Sequence, residues 1–210
     1  MKDLDYRIFE GGNKLPLVEQ FYSIQGEGFH AGKPAYFIRI GGCDIGCHWC
    51  DSKLSWNPEI HPLDDVKDIA EEVHRTPAQS IVVTGGEPSL YNLDPLCREV
   101  KSANVKTYLE TAGTGDLTGR WDWICLSPKK QNHPSDVFYY KADELKVIIF
   151  EEEDIKWAEE AAKHVSEDCY LFLQPEWSQY KKMIHPIVEY IKANPSWNIS
   201  LQAHKFMHIP

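Results

Sequence analysis

Short runs rich in β-branched and aromatic residues alternate along this chain with longer amphipathic stretches, and that alternation narrows the possible folds more than any other feature. The runs are YFIRIGG (36–42), SIVVTGG (80–86), VKTYLETAG (105–113), WICLSPK (123–129), ELKVIIF (144–150), YLFLQPE (170–176) and WNISLQAHK (197–205). Their composition predicts strands. Between them, residues 62–76, 93–103, 152–165 and 180–194 carry a helical period, the first with acidic residues in its opening turn. Repeated strand and helix units imply a parallel sheet joined by right-handed crossovers. Seven strands in 210 residues fall short of a complete eight-unit barrel, so the expected fold is α/β, an incomplete TIM-like βα barrel. One domain over 1–210 fits that length.

In strand after strand the apolar run gives way to a polar cluster at its C-terminal end. These are Thr84-Gly85-Gly86-Glu87-Pro88, Glu110-Thr111, Ser127-Pro128-Lys129, Gln174-Pro175-Glu176 and Gln202-x-His204-Lys205. Each alone reads as a turn or a strand exit. Together they predict one site on the rim where the loops of a parallel sheet converge.

Composition removes several classes of partner. Asp and Glu number 32 against 22 Lys and Arg, a net charge of −10, and no basic stripe stands out, which argues against nucleic acid. The opening MKDLDYRIFEGGNKLP is charged where a signal peptide is apolar, and no window stays apolar long enough to span a bilayer, so a cytoplasmic setting without membrane contact is expected. In that compartment six cysteines point to metal or redox chemistry before disulfides.

Three of them, Cys43, Cys47 and Cys50, fall in the stretch GGCDIGCHWCDS (41–52). A closed zinc site needs four ligands, and His48, between two thiols that must face one metal, is poorly placed as the fourth. Cys97, Cys125 and Cys169 lie in a predicted helix and two predicted strands, where free cysteines pack as small hydrophobes. A four-iron cluster held by three cysteines keeps one iron free for another ligand.

The C-x3-C-x2-C spacing directly after the first predicted strand, with aromatic Trp49 before the last cysteine, resembles the radical S-adenosylmethionine superfamily. The stretch Gly85-Gly86-Glu87-Pro88 is similar to its glycine-rich turn, whose backbone meets the methionine part of the cofactor. Beyond these motifs, YSIQGEG (22–28), AYFIRIGGC (35–43), CDS (50–52), ELKVI (144–148) and the final QAHKFMHIP resemble the 7-carboxy-7-deazaguanine synthase family over almost the whole chain. That resemblance implies a carbon-nitrogen lyase of the queuosine and 7-deazapurine pathway. It converts 6-carboxy-5,6,7,8-tetrahydropterin to 7-carboxy-7-deazaguanine with loss of ammonia, after hydrogen is taken from C6 of the pterin. A 4Fe–4S cluster, S-adenosyl-L-methionine and Mg2+ are its implied cofactors, flavodoxin or ferredoxin its electron donor, and a homodimer its assembly.

Carried onto this chain, the resemblance places Cys43, Cys47 and Cys50 on the cluster and Ser52, where the family often has Thr, on magnesium. Ile24, Gln25, Gly26 and Glu27 would face the pterin, Glu27 accepting from its amino-pyrimidine edge. Arg39 would grip the substrate carboxylate, with Thr84 and His204 adding contacts. Pro210 would present a free carboxylate, so a C-terminal extension would weaken the enzyme. Trp49, Gly85, Gly86, Glu87, Glu110, Thr111, Ser127, Lys129 and Gln174 would hold S-adenosylmethionine. Structural readings compete for several of these: an ion pair for Arg39, a strand-end cap for His204, a frayed tail for Pro210. Two departures from the family pattern stand out. The short cysteine spacing lacks the long insertion some members carry, and ETAG (110–113) stands in place of ETNG. No side chain in the motifs reads as an indispensable general acid or base. Two other activities fit less of the sequence: a radical activase acting on a polypeptide, which has no use for QGEG, and a zinc or electron-transfer module without turnover.

Overall fold

The computed structural model describes residues 10–101 and 104–210, so the chain start and positions 102 and 103 of the predicted helix 93–103 lie outside the described residues. The strands are β1 (Lys14–Ile24), β2 (Pro34–Ile40), β3 (Leu63–Asp65), β4 (Ser80–Gly85), β5 (Lys106–Thr111), β6 (Trp123–Leu126), β7 (Glu144–Ile149), β8 (Tyr170–Pro175) and β9 (Trp197–Ile199). They form one sheet in the order β3-β1-β2-β4-β5-β6-β7-β8-β9. From β2 to β9 every neighbouring pair is parallel, as the alternating pattern requires. β3 and β9 end the sheet without pairing with each other, so the barrel stays open. The helices are α1 (Val66–His74), α2 (Asp94–Lys101), α3 (Asp136–Lys141), α4 (Glu153–Ala162), α5 (Tyr180–Ala193) and α6 (Ala203–Met207). None of them is long and apolar enough to cross a membrane.

Alternation along each strand separates core from lumen. On β7, Leu145, Val147 and Ile149 are fully buried in the core, as are Ile38 and Ile40 on β2 and Ile81 and Val83 on β4. α1 and α2 cover this layer with Ile69, Val73, Leu96 and Val100. Each such side chain contributes about 1.5–3 kcal/mol of burial. The intervening residues Phe37, Arg39, Val82, Thr84, Lys146 and Ile148 face the other way and line a cavity.

Four features depart from the sequence reading. β1 is antiparallel to β2 and β3 and carries no clean strand signal, because Pro16, Glu19 and Gln20 interrupt its apolar pattern and much of it is partly exposed. The predicted helix 62–76 opens with β3, which pairs with Lys14–Pro16; α1 starts only after Asp65, whose carboxylate accepts the Lys67 N–H at 2.9 Å as an N-cap. The six-residue α3 was not predicted, since DVFYYK is too short and aromatic to show a helical period. The run 197–205 is not one strand: β9 stops at Ile199, and His204 and Lys205 sit on α6. His204 is therefore on a helix, and a strand-end cap does not describe it.

Candidate active site

The loop carrying the three cysteines leaves the C-terminal end of β2 and is fastened from below. Gly86 N–H donates to Ile40 O at 2.8 Å, Glu87 N–H to Gly42 O at 2.7 Å and Gly42 N–H to Ser55 O at 2.7 Å, while Cys43 N–H reaches Trp56 O. The approach is so close that a Cβ on Gly86 would lie 2.0 Å from Gly42 O. Glycine at 86 is therefore a packing requirement. Glu87 is 1% exposed and accepts the N–H groups of Ser89 and Ala112 at 2.9 and 2.7 Å, and the Thr111 hydroxyl. Glu87→Ala strands those buried donors, and urea unfolding should show a loss of roughly 3 kcal/mol.

Cys43, Cys47, Trp49, Cys50 and Ser52 form one wall of the cavity. Thr84, Gly85, Gly86, Glu87, Glu110, Thr111, Ser127, Lys129 and Gln174 join it from the strand ends, and Ile24, Gln25, Gly26, Glu27, Arg39, His204 and Pro210 complete it. All the site residues picked from the sequence are thus brought to one place. They do not all arrive from the same rim. β1 runs against the parallel strands, with Ile24 opposite Pro34 at the start of β2, so Gln25 and Glu27 enter from the opposite end. There the turn meets the C-terminal segment: Ala203 N–H donates to Gly26 O at 2.9 Å and Gly28 N–H to Ser200 Oγ at 2.9 Å. Ser23 Oγ donates to Pro210 O at 3.1 Å.

Lys146 had no role assigned from the sequence, and it is 1% exposed. Its ammonium donates to Glu27 Oε2 and Glu110 Oε2, each at 2.7 Å. Burial opposes that charge, but Glu110, Glu27 and Glu144 outweigh it and hold the Lys146 pKa well above its ordinary value. Burial likewise tends to raise the Glu27 pKa, and Lys146 with Gln202 reverses this and holds it low. Gln202 Nε2 reaches Glu27 Oε1 at 3.0 Å and Asp51 Oδ2 at 3.1 Å, and Lys205 donates to Asp51 at 2.7 Å. The residue after the last cysteine is thereby tied to the turn that carries Glu27. The available signal was a Glu and a Lys two apart inside the apolar run ELKVIIF, on the face opposite Leu145, Val147 and Ile149.

Other placements weigh the competing readings. Arg39 lines the cavity while its Nε donates to Glu19 at 2.7 Å, so the ion pair and the cavity position coexist. His48 is exposed and packs edge-on against Phe150 at 5.0 Å, away from the cavity wall. Cys97, Cys125 and Cys169 are buried. Lys129 donates to Ser127 Oγ at 2.8 Å and lies 5.9 Å from the Trp49 ring, its pKa lowered by burial. Ala112 lines the cavity.

The family model of the Radical SAM superfamily matches residues 37–124. A Flavobacterium psychrophilum protein named 7-carboxy-7-deazaguanine synthase is 50% identical over 96% of this chain and 95% of its own length. The chain belongs to that family. A Synechocystis member is 43% identical over 92% of this chain and 93% of its own. The crystal structure of QueE from Escherichia coli superposes with a TM-score of 0.82 at 28% identity, covering 96% of this chain and 100% of the other.

The superfamily uses a 4Fe–4S cluster and S-adenosylmethionine, and the donor set fits. Three thiols share one wall, yet among the described residues no three His, Cys, Asp or Glu side chains converge on a single ion position. A four-iron cube takes each thiolate on a different iron, and three thiols on one wall would supply three of the four. Burial pushes the Cys43 thiol up to about 11 and raises Cys47 too. Cluster loading must release those protons, so iron uptake should be more complete at pH 8.5 than at 6.5, read as iron and sulfide per chain. Ser52 fits magnesium less well: its hydroxyl is shared with Ser55 Oγ at 2.7 Å and Arg39 Nη1 stands 3.4 Å away. It would offer a hard cation one oxygen.

Proposed function

We propose that this chain makes 7-carboxy-7-deazaguanine from 6-carboxy-5,6,7,8-tetrahydropterin with loss of ammonia, as one radical S-adenosylmethionine domain over 1–210. The reading rests on one observation above the others: the three-cysteine wall and the Glu27–Lys146–Glu110 group belong to the same cavity. When bound, the cluster and S-adenosylmethionine supply the radical that takes hydrogen from the substrate. What the protein contributes is position.

Glu27 is held ionised by Lys146, so it is a fixed acceptor for the donor-rich amino-pyrimidine edge of the pterin. Gln202 holds its second oxygen and fixes the carboxylate plane. Arg39, braced by Glu19, turns a guanidinium to the substrate carboxylate, and Thr84 beside it on β4 adds a hydroxyl. Ile24, Gln25, Gly26, His204 and Pro210 close around the ring. Gly85, Gly86 and Glu87 with Trp49, Glu110, Thr111, Ser127, Lys129 and Gln174 form the cofactor side. Ser52 would lend magnesium a single hydroxyl oxygen. A low-potential donor such as flavodoxin or ferredoxin, a homodimer and a cytoplasmic setting belong to the same reading and are supported by the family resemblance.

Calorimetry with the cluster-loaded protein tests the substrate assignment. Binding of the pterin should weaken by about tenfold or more in Glu27→Gln, while S-adenosylmethionine affinity stays within about twofold. Equal pterin affinity in the two proteins would remove Glu27 from the substrate site.

A further inference from the structure

A small chamber of about 10 Å³ adjoins the main cavity and shares Gln25, Glu27 and Glu110 with its wall; Glu144 and His30 also line it. Glu144 Oε1 and His30 Nε2 are buried, and neither has a hydrogen-bond partner among the described residues. Two such atoms on residues that line one chamber are unusual, because buried polar groups are almost always paired. The space is that of a single water, and a water here has polar partners on both sides.

Glu144 also reaches the substrate turn directly. Its Oε2 accepts the Phe29 N–H at 3.2 Å and the Trp123 indole N–H at 3.1 Å. Its Oε1 packs so tightly on Gly28 that a Cβ there would lie 2.0 Å away. His30 is held by stacking on Tyr108, ring centres 4.4 Å apart and 6° from parallel. Glu144 opens β7 and Lys146 follows two residues later on the same face, so one strand anchors both the turn and the carboxylate it carries.

We propose that Glu144 is a positioning residue for the turn bearing Glu27, acting with His30 through one water held between Glu144 Oε1 and His30 Nε2. Burial raises the Glu144 pKa and lowers that of His30. The functional half of this inference rests on the pterin reading above; the water does not.

A crystal structure of the holoenzyme that resolves ordered water should show density within hydrogen-bond distance of both atoms. Direct contact between the two side chains, or a chamber without water, overturns the bridge. In steady-state assays Glu144→Ala should raise the pterin KM about tenfold with kcat within about twofold, since the turn loosens while the reacting groups remain. Glu144→Gln should stay within about threefold of the parent: its amide oxygen can keep Phe29 and Trp123 while its NH2 meets the water. His30→Phe keeps the stack and removes the nitrogen. It should raise KM roughly threefold, and it decides the matter if Glu144→Ala does not fold. An unchanged KM in Glu144→Ala and His30→Phe, or loss of kcat and KM together without rescue by Glu144→Gln, overturns the positioning role. If Glu27→Gln raises KM while the Glu144 variants do not, only the inference fails; if none of them changes KM, the pterin reading fails as well.

Discussion

Replacing Lys146 with Met should lower kcat/KM for the pterin about a thousandfold, equivalent to about 4 kcal/mol, and should destabilise the fold by roughly 3 kcal/mol. Lys146 is buried between Glu27 and Glu110, at 2.7 Å from each. Met keeps the volume and removes the charge, leaving two carboxylates facing each other where water screens them poorly. One of them then takes a proton. Glu27 is the more exposed to this, because burial already pushes its pKa up and Lys146 is the main group holding it down. A protonated Glu27 loses the acceptor that the substrate edge needs.

The direction of the pH effect follows. With its pKa raised in the variant, Glu27 is ionised only at higher pH, so residual turnover should fall as pH drops from 8.5 to 6.5. In the parent, where the pKa is low, the substrate KM should be flat over that range. Steady-state kinetics at the two pH values and urea unfolding check both parts. A variant within about threefold of the parent would show that the ammonium does not organise the site.

Gly86→Ala is expected to cost about a hundredfold in turnover and to lower cluster occupancy. The added Cβ would meet Gly42 O at 2.0 Å, Gly42 C at 2.6 Å and Ser55 O at 2.9 Å. All three are backbone atoms, so no side chain can swing aside. Gly42 directly precedes Cys43, and its carbonyl accepts the Glu87 N–H. Relief of the clash therefore moves the cysteine loop itself by about the ångström that disrupts a reacting geometry. Iron and sulfide per chain, with turnover measured on the same sample, report the shift. Parent-level occupancy and rate in Gly86→Ala would mean that the loop is not seated on the glycine turn.

The parallel strands were legible because strands covered on both faces read as unbroken β-branched runs, and Ile81–Val83 and Val147–Ile149 are of that kind. β1 was not, because it runs antiparallel and partly exposed, with Glu19 and Gln20 breaking its alternation. That omission concealed how Gln25 and Glu27 reach the cavity: only an antiparallel strand delivers them from the end opposite to Thr84 and Glu110. The cysteine loop and the glycine turn could be read directly, since both are local in sequence. Lys146 could not, because its importance comes from Glu27 and Glu110, which lie 119 and 36 residues away. Gln202 was among the predicted rim residues, but its links to Glu27 and Asp51 were hidden for a similar reason: the chain turns from β9 into α6 at Ser200, and a continuous strand was the simpler reading of WNISLQAHK.

Anaerobic turnover of the reconstituted protein with dithionite, S-adenosylmethionine, magnesium and 6-carboxy-5,6,7,8-tetrahydropterin, the products followed by mass spectrometry, tests the pterin reaction itself. Formation of 7-carboxy-7-deazaguanine by the parent, and its absence with Cys47→Ala, is the predicted result. Cleavage of S-adenosylmethionine to 5′-deoxyadenosine with no 7-carboxy-7-deazaguanine would contradict it, keeping the radical chemistry and discarding the pterin.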